Sequence, residues 1–345
     1  MPFGEQGIRK DGAKLEEKII EITNLKKWFP LRTGFLSSLV RRELFVKAVD
    51  NISFDIKKGE IFGLAGESGS GKTTTGRLLI KLIEPTSGKI LFKGEDITLF
   101  PESKTKAYRR KLQIIFQDPY ESLNPRMSIE DILSEPLQIH GISEDKEILK
   151  KIYEVMEAVK LIPPDEFLQR YPHELSGGQR QRVATGRALM LSPEFIVADE
   201  PVSMLDVSIR AEVLNVILEL RERYQVTFLF ITHDLALARH ICDRIAVMYL
   251  GRIVEIANVE ELVKEPLHPY TKALIDAVPI PDPTVERTKV VIKGEIPSPV
   301  NPPSGCRFHT RCPSFIGDIC RTKDPPLIEV QRNRFVACHL HSSEK

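Results

Sequence analysis

The sequence has no apolar run approaching the roughly 18 residues that span a bilayer. Its longest candidates, 226–231 and 245–250, read as buried strands. The expectation is a chain that is itself soluble. Its first 22 residues, MPFGEQGIRKDGAKLEEKIIEI, carry basic side chains but lack the hydrophobic stretch of a secretory signal. A cytosolic location is therefore expected, where thiols stay reduced. An excess of charge of one sign is also missing, with 49 Lys+Arg against 48 Asp+Glu and a formal charge of +1. That excludes a protein acting chiefly as a basic coat on nucleic acid and leaves room only for a local patch. There is no internal repeat, and cysteine is scarce. Cys242 stands alone upstream, while Cys306, Cys312, Cys320 and Cys338 fall within the last 40 of 345 positions.

What is present suits a globular chain of more than one unit. Segments 19–22 and 45–56 carry strand-like residues around a mixed apolar and basic insertion, RTGFLSSLVRREL (32–44), which reads as a hairpin with an elaborated loop. An apolar strand at 61–65 enters a glycine-rich turn, and 73–84 has helical spacing ended by Pro85. Strands are expected at 89–92 and 112–116. Amphipathic helix fills most of 129–171, with breaks at Gly141 and Pro163. Beyond it, helices at 176–191, 209–224 and 235–242 alternate with strands at 195–198 and 226–231, the pattern of a parallel sheet covered on both faces. From Pro266 onward prolines crowd a stretch with little periodicity, marking a boundary and a loop-rich tail.

GESGSGKT (66–73) fits G-x-x-x-x-G-K-[ST] between a predicted strand and a predicted helix. Gly66, Gly69 and Gly71 let backbone N–H groups turn inward around phosphate, beside Ser68, Ser70 and Thr74, and the helix N-terminus adds positive charge. Lys72 would bridge the β- and γ-phosphates and the Thr73 hydroxyl would ligate Mg²⁺. A chance match arises about once in a hundred chains of this length. FIVADE (195–200) is a buried strand ending in two carboxylates. Asp199 suits an Mg²⁺-holding role and Glu200 a base for the attacking water. Alone the pair would more often be a solvated strand end; beside a phosphate loop that weighting reverses.

LSGGQ (175–179), followed by Arg-Gln-Arg, precedes a helix whose N-terminus can face an anion. At this point the chain resembles the ATP-binding-cassette (ABC) ATPases. The resemblance extends to Gln117 in IIFQDP, to SMLD (203–206) with Asp206, and to His233 in ITHD. Gln117 alone reads as a polar strand end and His233 as a satisfied histidine; the order and spacing of all six motifs carry the match. It implies an α/β P-loop NTPase with a RecA-like core, an antiparallel β subdomain and an inserted helical signature subdomain. Catalytic parts fall to Lys72, Gln117, Glu200 and His233, with Mg²⁺ at Thr73, Gln117 and Asp199. The nucleotide of a second ATPase is reached by Ser176, Gly177, Gly178 and Gln179. An aromatic near the first hairpin stacks on adenine in this family; the matching position is Phe29, with Trp28 or Phe45 as substitutes.

Three further stretches resemble the ATPases of oligopeptide and dipeptide permeases: PYESLNPRMSIEDILSEP (119–136), HPYTKAL (268–274) and GCRFHTRCP (305–313). The insertion looks more like the F-type subunit, which pairs with a distinct D-type ATPase. The implied machine is a peptide importer on the cytoplasmic face of the cell membrane. An extracytoplasmic binding protein feeds two transmembrane permeases, two cassette ATPases form a heterodimer, and membrane contact runs only through the permeases. Permease coupling helices would dock near 117–136. Related machines serve nickel or oligosaccharides. The expected division is a flexible tail at 1–16, a nucleotide-binding domain at 17–262 with its helical subdomain near 119–185, and an extension at 263–345.

The tail cysteines are separated by five, seven and seventeen residues, without paired C-x-x-C knuckles. Four thiolates in a loop-rich segment suit a [4Fe–4S] cluster, as in some peptide-permease ATPases. The alternatives are Zn²⁺, with His309, His339 or His341 as substitute ligands, or a set of free thiols or two disulfides, which a reducing compartment disfavours. Cys242 follows a helix and reads as packing. Against these expectations stand a DNA-repair or translation ATPase, which would need coiled-coil arms or a second cassette, and an ATP-using redox enzyme.

Overall fold

The computed structural model describes residues 17–31, 44–277, 292 and 294–342; the expected tail at 1–16 and nearly all of the hairpin insertion lie outside them. In chain order the elements are β1 (Lys18–Pro30), β2 (Phe45–Lys57), β3 (Ile61–Ala65), α1 (Lys72–Leu79), β4 (Ser87–Phe92), β5 (Glu95–Asp96), α2 (Glu102–Arg109) and β6 (Leu112–Ile115). Then come α3 (Pro119–Ser122), α4 (Ile129–Ile139), α5 (Asp145–Ala158), α6 (Asp165–Leu168), α7 (Gly177–Leu189), β7 (Phe195–Asp199), α8 (Val207–Tyr224), β8 (Thr227–Thr232) and α9 (Leu235–Ile241). The last are β9 (Arg244–Tyr249), β10 (Arg252–Asn258), α10 (Val259–Lys264), α11 (Pro269–Asp276), α12 (Asp318–Thr322), β11 (Ile328–Gln331) and β12 (Arg334–Val336).

Among the described residues these strands form two sheets. One has the order β2-β1-β4-β5 and is antiparallel; the other has the order β11-β12-β10-β9-β3-β8-β7-β6. In the second, β9, β3, β8, β7 and β6 run parallel. The strands at its centre alternate between two buried faces. Ile61, Ile196, Ala198, Phe228 and Phe230 join one apolar cluster, while Phe62, Leu64, Phe195, Val197, Leu229 and Ile231 join the other. A strand buried on both faces is apolar along its interior, so IFGLA and the FLFI between Thr227 and Thr232 read as uninterrupted runs. Each phenylalanine so buried contributes about 2–3 kcal/mol.

The region between β6 and β7 is helical. Ser128 caps α4 through a reciprocal pair with Asp131, and the buried faces of α4, α5 and α7 share one apolar cluster. α1 closes at Leu79, earlier than its apolar spacing predicts, because Lys81 takes a left-handed φ of 59° before Pro85 can act. The tail is less loop-like than its prolines suggest. β12 pairs with β10 through Glu255↔Val336 and Ile256↔Phe335, and β11 pairs with β12, so the extension lengthens the central sheet. No helix among the described residues is long and apolar enough to cross a membrane.

Candidate nucleotide site

Parallel strands that lie side by side deliver their C-terminal ends to one edge, where ligands of open α/β sheets bind. Ala65 of β3 is level with Thr232 of β8, Ile231 of β8 with Asp199 of β7, and Ala198 of β7 with Ile115 of β6. The segments that follow carry the phosphate-loop residues, His233, Glu200 and Gln117, so residues up to 167 positions apart in sequence meet at one rim.

The loop is shaped by close backbone approach. Gly71 has φ 105°, and a Cβ there would lie 2.0 Å from the Ala48 carbonyl; at Gly66, with φ 151°, it would lie 2.1 Å from the Met248 carbonyl. Only glycine fits either position. Gly71 begins α1 without a side-chain cap, and no acidic residue stands in the first turn, leaving the N-terminal N–H groups free to face an anion. The Ser70 hydroxyl is buried in the same loop with no partner.

Lys72 is buried, and its Nζ donates to the carbonyls of Gly66 (2.8 Å) and Glu67 (3.1 Å) and stands 4.0 Å from Glu200 Oε1. Burial lowers its pKa, opposed by the charges of Glu200, Asp199 and Glu67. The Thr73 hydroxyl donates to Asp199 Oδ1 at 3.0 Å; burial raises the Asp199 pKa and that hydrogen bond lowers it. Gln117 Nε2 donates to Glu200 Oε2 at 3.3 Å, and His233 Nδ1 lies 3.0 Å from the same oxygen. Glu200 holds a left-handed φ of 46° while its N–H donates to the Ile231 carbonyl at 3.0 Å. Such a conformation in a non-glycine residue costs about 1–3 kcal/mol and clusters at functional sites.

The structure thus brings together Gly66, Lys72, Thr73, Gln117, Asp199, Glu200 and His233. It sets the signature residues apart, since no hydrogen bond or ion pair among the described residues joins Ser176–Gln179 to the phosphate loop. Ser176 and Gln179 instead cap α7 reciprocally, and Gly178 packs so tightly that a Cβ would lie 2.5 Å from Ile209. Asp206 caps the start of α8 without a side-chain hydrogen bond, and Met204 and Val207 beside it are exposed. Phe29 sits near the end of β1, 38% exposed, whereas Trp28 is tied through Nε1 to Asp50 at 3.2 Å. Sequence reading missed three further residues at the loop. The Glu67 N–H donates to the Tyr270 hydroxyl at 2.9 Å, and Arg311 pairs with the Glu67 carboxylate at 3.0 Å. HPYTKAL and CRFHTRC marked both partners as family features without indicating that they fold back onto the loop.

The metal expectation for the tail is overturned. Among the described residues no group of three or more His, Cys, Asp or Glu is set out to hold a metal ion, which removes both the [4Fe–4S] cluster at Cys306, Cys312, Cys320 and Cys338 and the Zn²⁺ alternative. Burial and neighbouring cysteines push Cys306 up to about 12 and Cys338 up to about 11, and burial raises Cys312 as well. The substitute imidazoles are engaged by carbonyls: His309 with Cys306 at 2.8 Å, His339 with Lys323 at 2.9 Å and His341 with Leu267 at 3.2 Å. All five cysteines are free, and Cys242 is core packing.

Comparison with known proteins follows the same lines. Residues 49–203 match the family model described as ABC transporter, and 254–320 match that of the oligopeptide/dipeptide transporter C-terminal region. The chain is 50% identical to the oligopeptide transport ATP-binding protein AppF of Bacillus subtilis over 96% of its own length and 99% of the relative's. Its fold is similar to that of cbiO1 from Clostridium perfringens, part of the ABC transporter complex cbiONQ, at TM-score 0.62 and 25% identity over 72% of this chain and 92% of that one. It is also similar to the ATP-binding cassette MJ0796, solved as a dimer in a post-hydrolysis state with ADP and Pi, at TM-score 0.60 and 27% identity over 70% of this chain and 98% of that one.

Proposed function

The chain belongs to the ABC transporter ATP-binding proteins of the oligopeptide/dipeptide type, and from that premise we propose that it is the ATP-hydrolysing subunit of a peptide importer. The observation that carries the reading is the meeting of Lys72, Gln117 and His233 on Glu200 beside an uncapped α1. Gly66, Ser68, Gly69, Ser70, Gly71, Lys72, Thr73 and Thr74 cradle the phosphates. Glu200 accepts a proton from the attacking water, with His233 and Gln117 orienting it. Phe29 stacks on adenine.

The residues at this rim suit Mg²⁺. A hydroxyl and a buried carboxylate in contact, Thr73 and Asp199, are oxygen donors of the type that ion takes, and the carbonyl oxygen of Gln117 supplies a third. When bound, Mg²⁺ supplies charge neutralisation between the β- and γ-phosphates.

Ser176, Gly177, Gly178 and Gln179 make no hydrogen bond or ion pair to their own loop among the described residues; with Asp206 they serve the nucleotide held by an opposing cassette, and hydrolysis needs two ATPase subunits. The proposed arrangement is an F-type subunit paired with a distinct D-type ATPase. Two permeases carry the complex on the cytoplasmic face of the membrane and receive peptide from an extracytoplasmic binding protein. The domain division proposed is a cassette over 17–262, with the helical subdomain near 119–185, and an extension from 263. Reconstituting the ATPase pair with its permeases and binding protein in vesicles tests the reading. ATP-driven uptake of a labelled oligopeptide supports it, while uptake of nickel or an oligosaccharide in place of peptide overturns the substrate class.

A further inference from the structure

Glu67 is an acidic residue set inside an anion-binding loop, directly after Gly66. An unpaired carboxylate there would oppose every phosphate the loop is built to hold. The structure holds this one residue at three points. Its N–H donates to the Tyr270 hydroxyl at 2.9 Å, its carbonyl accepts from Lys72 Nζ at 3.1 Å, and its carboxylate pairs with both terminal nitrogens of Arg311 at 3.0 and 3.4 Å. Tyr270 and Arg311 both come from the C-terminal extension.

The extension presents these groups on a rigid base. Tyr249 and Tyr270 pack with ring centroids 4.7 Å apart, and Phe308 contacts each at 5.3 Å. Tyr270 and Phe308 are fully buried. The Arg311 side chain is only 9% exposed, so its charge is weakly screened, and it also donates to the Tyr249 hydroxyl at 3.4 Å.

We infer that Arg311 is a positioning residue for nucleotide binding: the C-terminal extension neutralises and aims Glu67, and through the Glu67 carbonyl it sets the ammonium of Lys72. This deepens the proposed ATPase reading and rests on it. The extension then contributes to ATP affinity as well as to the sheet, and its loss penalises binding more than the chemical step.

Steady-state ATP hydrolysis by the full chain assembled with its partner subunits tests this. Arg311→Ala is expected to raise the KM for ATP by about fivefold to tenfold with kcat held within about twofold. Arg311→Lys, which keeps the charge, recovers part of that loss. Combining Glu67→Gln with Arg311→Ala restores KM toward wild type, since the uncompensated charge is gone. An unchanged KM in Arg311→Ala, or an equal loss in the double variant, overturns the coupling. Should Arg311→Ala fail to fold, Arg311→Gln with and without Glu67→Gln gives the same comparison. Absence of ATP turnover in the wild-type assembly would instead overturn the ATPase reading itself.

Discussion

His233 Nδ1 stands 3.0 Å from Glu200 Oε2, and Gln117 Nε2 reaches that same oxygen at 3.3 Å. Three separate strand ends therefore converge on one carboxylate, whose other oxygen faces Lys72 at 4.0 Å.

Replacing that carboxylate removes the proposed proton acceptor while leaving the phosphate loop intact. Glu200→Gln is expected to bind ATP and stay dimerised with its partner, with turnover reduced by about 10²–10⁴. Phosphate release and analytical ultracentrifugation check both halves, and near-normal hydrolysis would sink the assignment of the base.

Asp199 is a buried carboxylate whose folded pKa is raised above its ordinary 3.8, chiefly by desolvation. The folded state therefore holds the proton more tightly than the unfolded state, and the stability this confers is present below the ordinary value and lost as pH rises through the folded value. Asp199→Asn escapes that loss. Without nucleotide, its melting temperature should exceed that of wild type at pH 7, with the gap closing toward pH 4, although its turnover with Mg²⁺ and ATP collapses. A gap that widens on acidification would contradict the account.

Gly71→Ala drives a methyl group to 2.0 Å from the Ala48 carbonyl at a φ of 105°. The strained backbone costs about 1–3 kcal/mol, and relieving it turns the loop N–H groups away from phosphate. Both a lowered melting temperature and lost ATP binding are expected; a variant that binds ATP normally would show that the loop tolerates the displacement.

The thiols of Cys306 and Cys338, pushed up to about 12 and about 11, are almost wholly protonated at pH 8. Iodoacetamide should label them slowly in the native chain and quickly after denaturation. Rapid native labelling at pH 8 would show that the burial argument fails.

Much of the site was legible because its parts are local. A glycine-rich turn between an apolar strand and a helix, two acids ending a second apolar strand, and a capped helix start each lie within about eight consecutive residues, the range over which turn and capping chemistry acts. The cysteine cluster misled for the converse reason. Four thiols in one segment suggest ligation, but protonation depends on burial and on what the neighbouring imidazoles already bind, and neither is written in spacing. The proline-rich tail misled in the same way, since β11 and β12 are short and gain their ladder only from β10.

By itself the sequence determined the family, the phosphate loop and the acids opposite it, because these follow from residue type and short-range spacing. Only the tertiary structure decided that Arg311 and Tyr270 close onto Glu67, more than 200 positions away, and that burial raises the pKa of the Cys306, Cys312 and Cys338 thiols. Charge pairing and desolvation depend on distance and burial in three dimensions, and both are set when the extension packs against the sheet.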